Sequence, residues 1–378
     1  GSKSVAIGRE ALVTQNFTTA TDAYNVAVGY SAGLSVTTGV RNTLIGGLAG
    51  DSLTNGDDNI ALGYNALSTE DTGSKSIAIG FEALKTQNNA ASNHNVAVGH
   101  AAGTAVTTGV QNVLIGGLAG DALTDADYNV ALGHGALSTD TLGSTSIAIG
   151  TNALATQNFT TATNAYNTAV GDSAGVSVTT GIQNTLIGGL AGDALTVGST
   201  NVALGVSALG ADTKGNSSVA IGSSALRLQN FTTATDAYNV AIGRAAGENV
   251  TTGTLNTFLG GLAGDATTVG QRNVALGYSA LGADRQGSRS VAIGAFALVN
   301  QDFGDSTNVF NTAVGYDAGV SVTTGVQNTL IGGSAGDSLT DADYNTAVGY
   351  DALAADTLGS KSTAMGRSAL SSQNFTTA

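Results

Sequence analysis

Side chains able to do chemistry are few in this 378-residue chain: three His, no Cys, and 27 Asp and Glu against 13 Lys and Arg. Those that recur do so at intervals too long to converge. Asp51, at the end of the string GGLAGD that begins at Gly46, returns as Asp121, Asp193, Asp265 and Asp337. Gly/Asp-rich turns bind calcium when they follow one another closely, but in a stack of strands these aspartates stand roughly 19 Å apart, too far to share an ion. His100 and His134 hold equivalent places two copies apart, about 10 Å, beyond joint ligation of a metal. Solvated turn aspartates and neutral surface histidines are therefore expected, with no metal site. Catalysis needs unlike groups converging in a cleft, whereas a repeated sequence offers the same groups at a fixed interval, so neither an enzyme nor a cofactor is expected.

The one chemically distinctive stretch is QNFTTATDAYN, at 15–25, 157–167 and 229–239, with a variant at 301–311. It carries Phe17 and Tyr24, then Phe159 and Tyr166, then Phe231 and Tyr238, in a chain with only nine Phe and ten Tyr. Two roles are open. The rings fold back to cover the protein, or they form a periodic contact ledge for a receptor, a glycan or a neighbouring fibre. NFT and Asn216-Ser217-Ser218 also match the N-glycosylation acceptor pattern.

What positions these residues is one repeat. The glycine at the centre of NVAVGYSAG, residues 25–33, recurs 21 times as an anchor, beginning with Gly8, Gly29, Gly46 and Gly63. Relative to that anchor, position −4 is Asn or Ser, −3 is β-branched, −2 is Ala or a larger apolar residue, −1 is aliphatic and +3 is always Ala. Asn25, Asn42 and Asn59 are the first asparagines at −4, and Ser takes the place in six copies. Anchor spacings run 21, 17, 17, 17 and begin again, so four copies form a super-repeat of 72 residues, shortened to 70 in the second. The four types, SVAIG, NVAVG, NTLIGG and NIALG, keep their order to the end, and residues 1–378 read as one continuous array without separate domains.

Alternation around the anchor is strand-like, with Val5 and Ile7 facing one way and Ser4 and Ala6 the other. A glycine in every short segment and the β-branched residues beside it oppose a helix. The anchor itself marks a positive φ or a backbone approach with no room for Cβ, and residues from +3 onward are expected to form a second short strand. One repeat is then one coil of an all-β parallel β-solenoid, and about 21 coils at strand spacing rise roughly 100 Å. The −4 asparagines are expected to stack side chain on side chain as an amide ladder. With −3 and −1 turned into the coil, the apolar −2 positions, among them Ala6, Leu44 and Ala61, form a second face that needs another surface, which predicts an oligomer.

Composition narrows the function. With 42% hydrophobic residues, 54 Gly and no Pro, Cys or Trp, the chain should fold around a thin core of small residues. No apolar run approaches the ~18 residues of a membrane span. A net charge of −14 opposes binding to nucleic acid. An ice-binding solenoid needs Thr on successive coils, and TTG (Thr37-Thr38-Gly39, Thr107-Thr108-Gly109) falls on one coil in four, which leaves that reading a minor alternative.

The units SVAIGREAL, NVAVGYSAG and SIAIGFEAL resemble the head repeats of YadA-type trimeric autotransporter adhesins, also found in some phage tail fibres, and the resemblance spans all 21 units. It implies a left-handed parallel β-roll, three chains wrapped about one threefold axis. The usual head repeat is shorter, and the extra residues here fall before the next Asn or Ser, where longer surface loops are expected. The expected function is a structural extracellular fibre or adhesin segment at a cell surface, or alternatively a phage tail fibre shaft on a virion. Its partners would be its own copies, as a homotrimer and head to tail, and a host-surface receptor or glycan. A start inside GSKSVAIG and a stop at Ala378, within the long stretch, predict further coils or a capping domain beyond both ends.

Overall fold

The computed structural model describes residues 1–376, so Ala378, where the array was expected to run on, lies outside them. The described chain is an all-β parallel solenoid of 21 turns with no helix. It divides into two compact units, Gly1–Asn184 and Thr185–Ala378. The first holds ten three-residue strands, from Val5–Ile7 to Thr168–Val170, and the second eleven, from Thr185–Ile187 to Thr363–Met365. Within each unit, strands one turn apart pair in parallel with like position against like, as in Val26 with Thr43, Ala27 with Leu44 and Val28 with Ile45. Every position of the repeat therefore becomes a column running along the unit.

The anchor glycine is required twice over. Gly29 has φ 141°, and a Cβ placed on it would lie 2.5 Å from the carbonyl oxygen of Gly46 in the next turn. Beyond the anchor the expected second strand is absent. The chain instead turns through left-handed residues at +2 and +4, such as Ser31 (φ 51°), Leu12 (φ 49°) and Leu67 (φ 53°). Reversing direction within five residues requires that conformation, which costs a residue with a side chain roughly 1–2 kcal/mol. Hydrogen bonds to the neighbouring turns offset the strain: the Ser31 N–H donates to the Arg9 carbonyl at 2.9 Å, and the Gly33 N–H to that of Ala49 at 3.0 Å.

The strand alternates as its sequence indicates, but the faces are the reverse of the expectation. Ala27, Leu44 and Ala61 at −2 are fully buried inside their own chain, and Ala6 alone of these lies open, in the first turn. The β-branched and aliphatic residues at −3 and −1 point outward, half-buried or exposed. Space explains the reversal. The interior of a turn is shared with Ala at +3, Leu or Gly at +4 and a further column at +7, and at −2 it accepts mainly alanine.

Volume also explains the four-turn period. Leu44 is the large −2 residue of its super-repeat, and the +4 positions nearest it are Gly33 and Gly50. A Cβ on either glycine would press the Leu44 methyls, at 2.7 Å from Gly33 and 2.8 Å from Gly50. Turns with Ala at −2 on either side carry Leu12 and Leu67 at +4. In the fourth super-repeat Phe258 replaces the leucine, and Thr267 replaces the leucine that stands at +7 in the equivalent turns (Leu53, Leu123, Leu195, Leu339). One larger and one smaller side chain thus keep the layer filled.

The asparagine column is a ladder of a different kind from the one expected. Asn25 Nδ2 donates to the Gly39 carbonyl of its own turn at 2.7 Å, while its Oδ1 accepts the Asn42 backbone N–H of the next turn at 2.9 Å. Asn42 repeats both bonds, to Gly56 and from Asn59. Each amide closes its own turn and fastens the following one by satisfying two buried backbone groups, and direct amide-to-amide bonds add to this at Asn112 Nδ2 to Asn95 Oδ1 and Asn184 Nδ2 to Asn167 Oδ1, both 3.3 Å.

Candidate functional site

The long stretch after each SVAIG turn is held by a buried polar cluster. Where the second super-repeat meets the third, Asp140 Oδ1 accepts the backbone N–H groups of Gly143 at 3.0 Å and Phe159 at 3.1 Å, and its Oδ2 accepts Gln157 Nε2 at 2.6 Å. Gln157 Nε2 also reaches Ser146 Oγ at 3.1 Å, and Gln157 Oε1 accepts Asn167 Nδ2 at 2.8 Å. All four side chains are buried. The same cluster recurs around Asp212 with Gln229 and around Asp284 with Gln301. Asp284 is held above the usual carboxylate range, chiefly by burial, against which its hydrogen bonds from Gln301, Gly287 and Phe303 act.

This cluster accounts for the six serines at −4: the small hydroxyl leaves room for, and bonds to, the glutamine of the same turn. It was legible as Gln seven residues after every SVAIG glycine (Gln15 through Gln373) and an acid ten residues before all but the first (Glu70, Asp140, Asp212, Asp284, Asp356), yet the pattern was overlooked. Ahead of the shortened second super-repeat the acid is Glu70, in the last turn of the first. Its longer side chain accepts Gly73 N–H at 2.7 Å, Gln87 Nε2 at 2.9 Å and Asn93 Nδ2 at 3.0 Å.

With its start clamped, the stretch adds a short parallel rung, Thr163–Asn164 on Gly143–Ser144 and Thr235–Asp236 on Gly215–Asn216. The two expected roles of its aromatics divide between them. Phe159, Phe231 and the related Phe303 are each only 6% exposed and cover the turn, while Phe17 is half-buried beside an open groove also lined by Thr38, Asn55 and Asp57. Tyr24, Tyr166 and Tyr238 are more than half exposed. Each of these tyrosines sits at −5 in a left-handed conformation (Tyr24, φ 52°), which turns its ring away from the body. Lys3 Nζ lies 5.0 Å from the Tyr24 ring centre and 2.7 Å from Asp22 Oδ2, whose carboxyl it holds below the usual range.

The recurrent turn aspartates stay separate from one another. Burial pushes Asp51, Asp121, Asp193, Asp265 and Asp337 above the usual carboxylate range, and Oδ1 of Asp51, Asp121 and Asp337 is buried without a hydrogen-bond partner. No group of three or more His, Asp and Glu side chains suited to a metal ion occurs among the described residues. His100 stacks on Phe81 instead, with ring centres 5.3 Å apart.

Two outward columns complete the surface. Positions −3 and −1 carry only Val, Ile, Leu, Thr and one Met in all 21 turns, with no charge. Most are half-buried and several are about 40% exposed, among them Ile60, Leu62, Leu132 and Leu204. Next to that face, position +1 gathers exposed rings such as Tyr30, Tyr64, Phe81, Tyr316 and Tyr350. No helix of the described residues is long and apolar enough to cross a membrane. No protein-family model matches the chain, and no curated protein matches it.

Proposed function

We propose that the chain is a structural segment of an extracellular fibre, in which copies associate along the aliphatic −3/−1 face and present the long stretches outward for attachment. The observation that carries this reading is the uncovered, charge-free apolar face. A strip with an aliphatic residue or methionine at −1 in every turn, beside Val, Ile or Thr at −3, is costly to leave in water. A second copy is the natural cover, because a like chain repeats with the same rise and meets the strip turn for turn. Three copies about one axis follow from the resemblance to YadA-type heads, which also sets the location at a cell surface or on a phage tail. In-register stacking within each unit supplies the stiffness such a role needs. Host receptors or glycans would meet the exposed Tyr24, Tyr166 and Tyr238.

Light scattering on the purified chain tests the assembly. A trimer at micromolar concentration is expected, and Ile45→Asp together with Ile115→Asp, at outward −1 positions, should give a folded monomer. A wild-type monomer overturns the reading. Ice binding has one observation in its favour: threonines occupy +8 in three successive turns out of four in much of the chain, as in Thr107, Thr124 and Thr141. Their hydroxyls donate to the carbonyls of the next turn, Thr124 Oγ1 to Thr141 O at 3.0 Å, and that engagement makes it the weaker reading.

A further inference from the structure

The second glycine of NTLIGG has no backbone reason to be glycine. Gly47, Gly117, Gly189, Gly261 and Gly333 hold position +1 in all five copies, yet none has a left-handed φ. A Cβ would fit: at Gly47 it would lie 3.4 Å from Tyr64 Cδ2, and at Gly333 3.5 Å from Tyr350 Cδ2, both ordinary contacts. The anchor one residue earlier has no such room. The absent side chain therefore leaves a notch in the outward +1 column, and in two super-repeats both walls of that notch are tyrosine: Tyr30 and Tyr64 about Gly47, and Tyr316 and Tyr350 about Gly333. All four rings are at least half exposed.

Elsewhere the chain shows what fits between rings two turns apart. Phe81 stands between Tyr64 and His100, with ring centres 5.8 and 5.3 Å away and planes inclined by 20° and 6°. The notches offer the same place without the middle ring. Two strand spacings give about 9.6 Å between walls. A flat ring in contact with both needs about 7–8 Å, and a puckered one somewhat more.

We propose that the notches Tyr30–Gly47–Tyr64 and Tyr316–Gly333–Tyr350 each take one pyranose ring of a neutral saccharide. Aromatic walls suit the C–H faces of a pyranose, and the tyrosine hydroxyls supply donors and acceptors at its rim. A side chain from a second copy is a poorer occupant. The self-association face stays uncharged in every turn, whereas +1 varies among Tyr, His, Arg, Asp and Val in the turns before and after those that carry its glycine. The proposal rests on the attachment role above and gives it a ligand class.

The chain has no Trp, so its emission comes from ten tyrosines, four of which wall the notches. Titration with soluble dextran, mannan and galactan, in parallel with light scattering, is the test. At least one polysaccharide should give a saturable change in emission. The double variant Gly47→Phe/Gly333→Phe, which fills both notches as Phe81 fills its own place, should bind at least tenfold more weakly with an unchanged assembly state. Tyr30→Ala/Tyr316→Ala, which removes one wall of each, should do the same. No response to any of the three polymers, or equal binding by the filled variant, overturns the proposal. Loss of assembly in the filled variant also overturns it, and assigns the notch to a second copy. A monomeric wild type that still binds dextran, mannan or galactan refutes the fibre reading while leaving the notch standing.

Discussion

Thr267 is the clearest misfit among the buried side chains. Its hydroxyl is buried without a hydrogen-bond partner at a position where the equivalent turns have leucine. Thr267→Val keeps the volume and removes the orphan group, so it should stabilise the chain by about 1 kcal/mol, read from the denaturant midpoint. Leu44 marks the opposite extreme. With glycines rather than leucines at 33 and 50 beside it, Leu44 supplies the bulk of its layer, and Leu44→Ala should cost about 3–5 kcal/mol, near the top of the range for such truncations. The five turn aspartates make a pH-dependent contribution. Their pKa values are raised on folding, so folding favours their protonated form; stability is greatest below the unfolded pKa and declines as pH rises through the folded one. Asp51→Asn and Asp337→Asn should therefore raise the melting temperature at pH 7 and leave it unchanged near pH 3. A gain at pH 3 as large as that at pH 7 would refute the burial explanation.

At the scale of one turn, the closed stack predicts local damage. Gly29→Ala places a methyl against the Gly46 carbonyl, and hydrogen exchange should show lost protection in that turn and its two neighbours, with turns further along the first unit still protected. Uniform loss across the unit would contradict nearest-neighbour coupling. Gln157→Val strips the buried Asp140 carboxylate of its side-chain donor and should cost about 1–3 kcal/mol by denaturant midpoint. These elements were unequally legible in the sequence. The strand, its alternation and the anchor glycine could be read because each depends on local sterics. Which face pointed inward could not, since Val26, Ala27 and Val28 are apolar on both sides and the decision lies in the width of the interior. The second strand was wrongly expected because leucine is rarely left-handed, and nothing local to Leu12 or Leu67 announces that stacked hydrogen bonds offset its strain. The Asp140–Gln157 cluster links residues 17 apart, visible only when whole columns are compared.

Across the molecule, most of the core is alanine, glycine and leucine, and the backbone hydrogen bonds between turns join a residue to one about 17 positions away, while those within a turn close over three residues. The polar cluster returns at +7 once in every four turns, between a Leu or Thr on one side and a Val on the other: Leu123, Asp140, Gln157, Val178. That order has a genetic consequence. Unequal crossing-over between such similar segments of a gene will add or delete stretches of coding sequence. A change whose junction falls between the acid and the glutamine would seat an acid beside a residue that cannot bond to it, or strand a glutamine, and the product would fold poorly. A change of four restores every pairing. The lineage of this protein should therefore lengthen and shorten in quanta of 72 residues, about 19 Å each at strand spacing. The 70-residue super-repeat obeys the same rule, since its missing residues come from the long stretch, where Glu70 reaches across the difference and keeps the quartet whole.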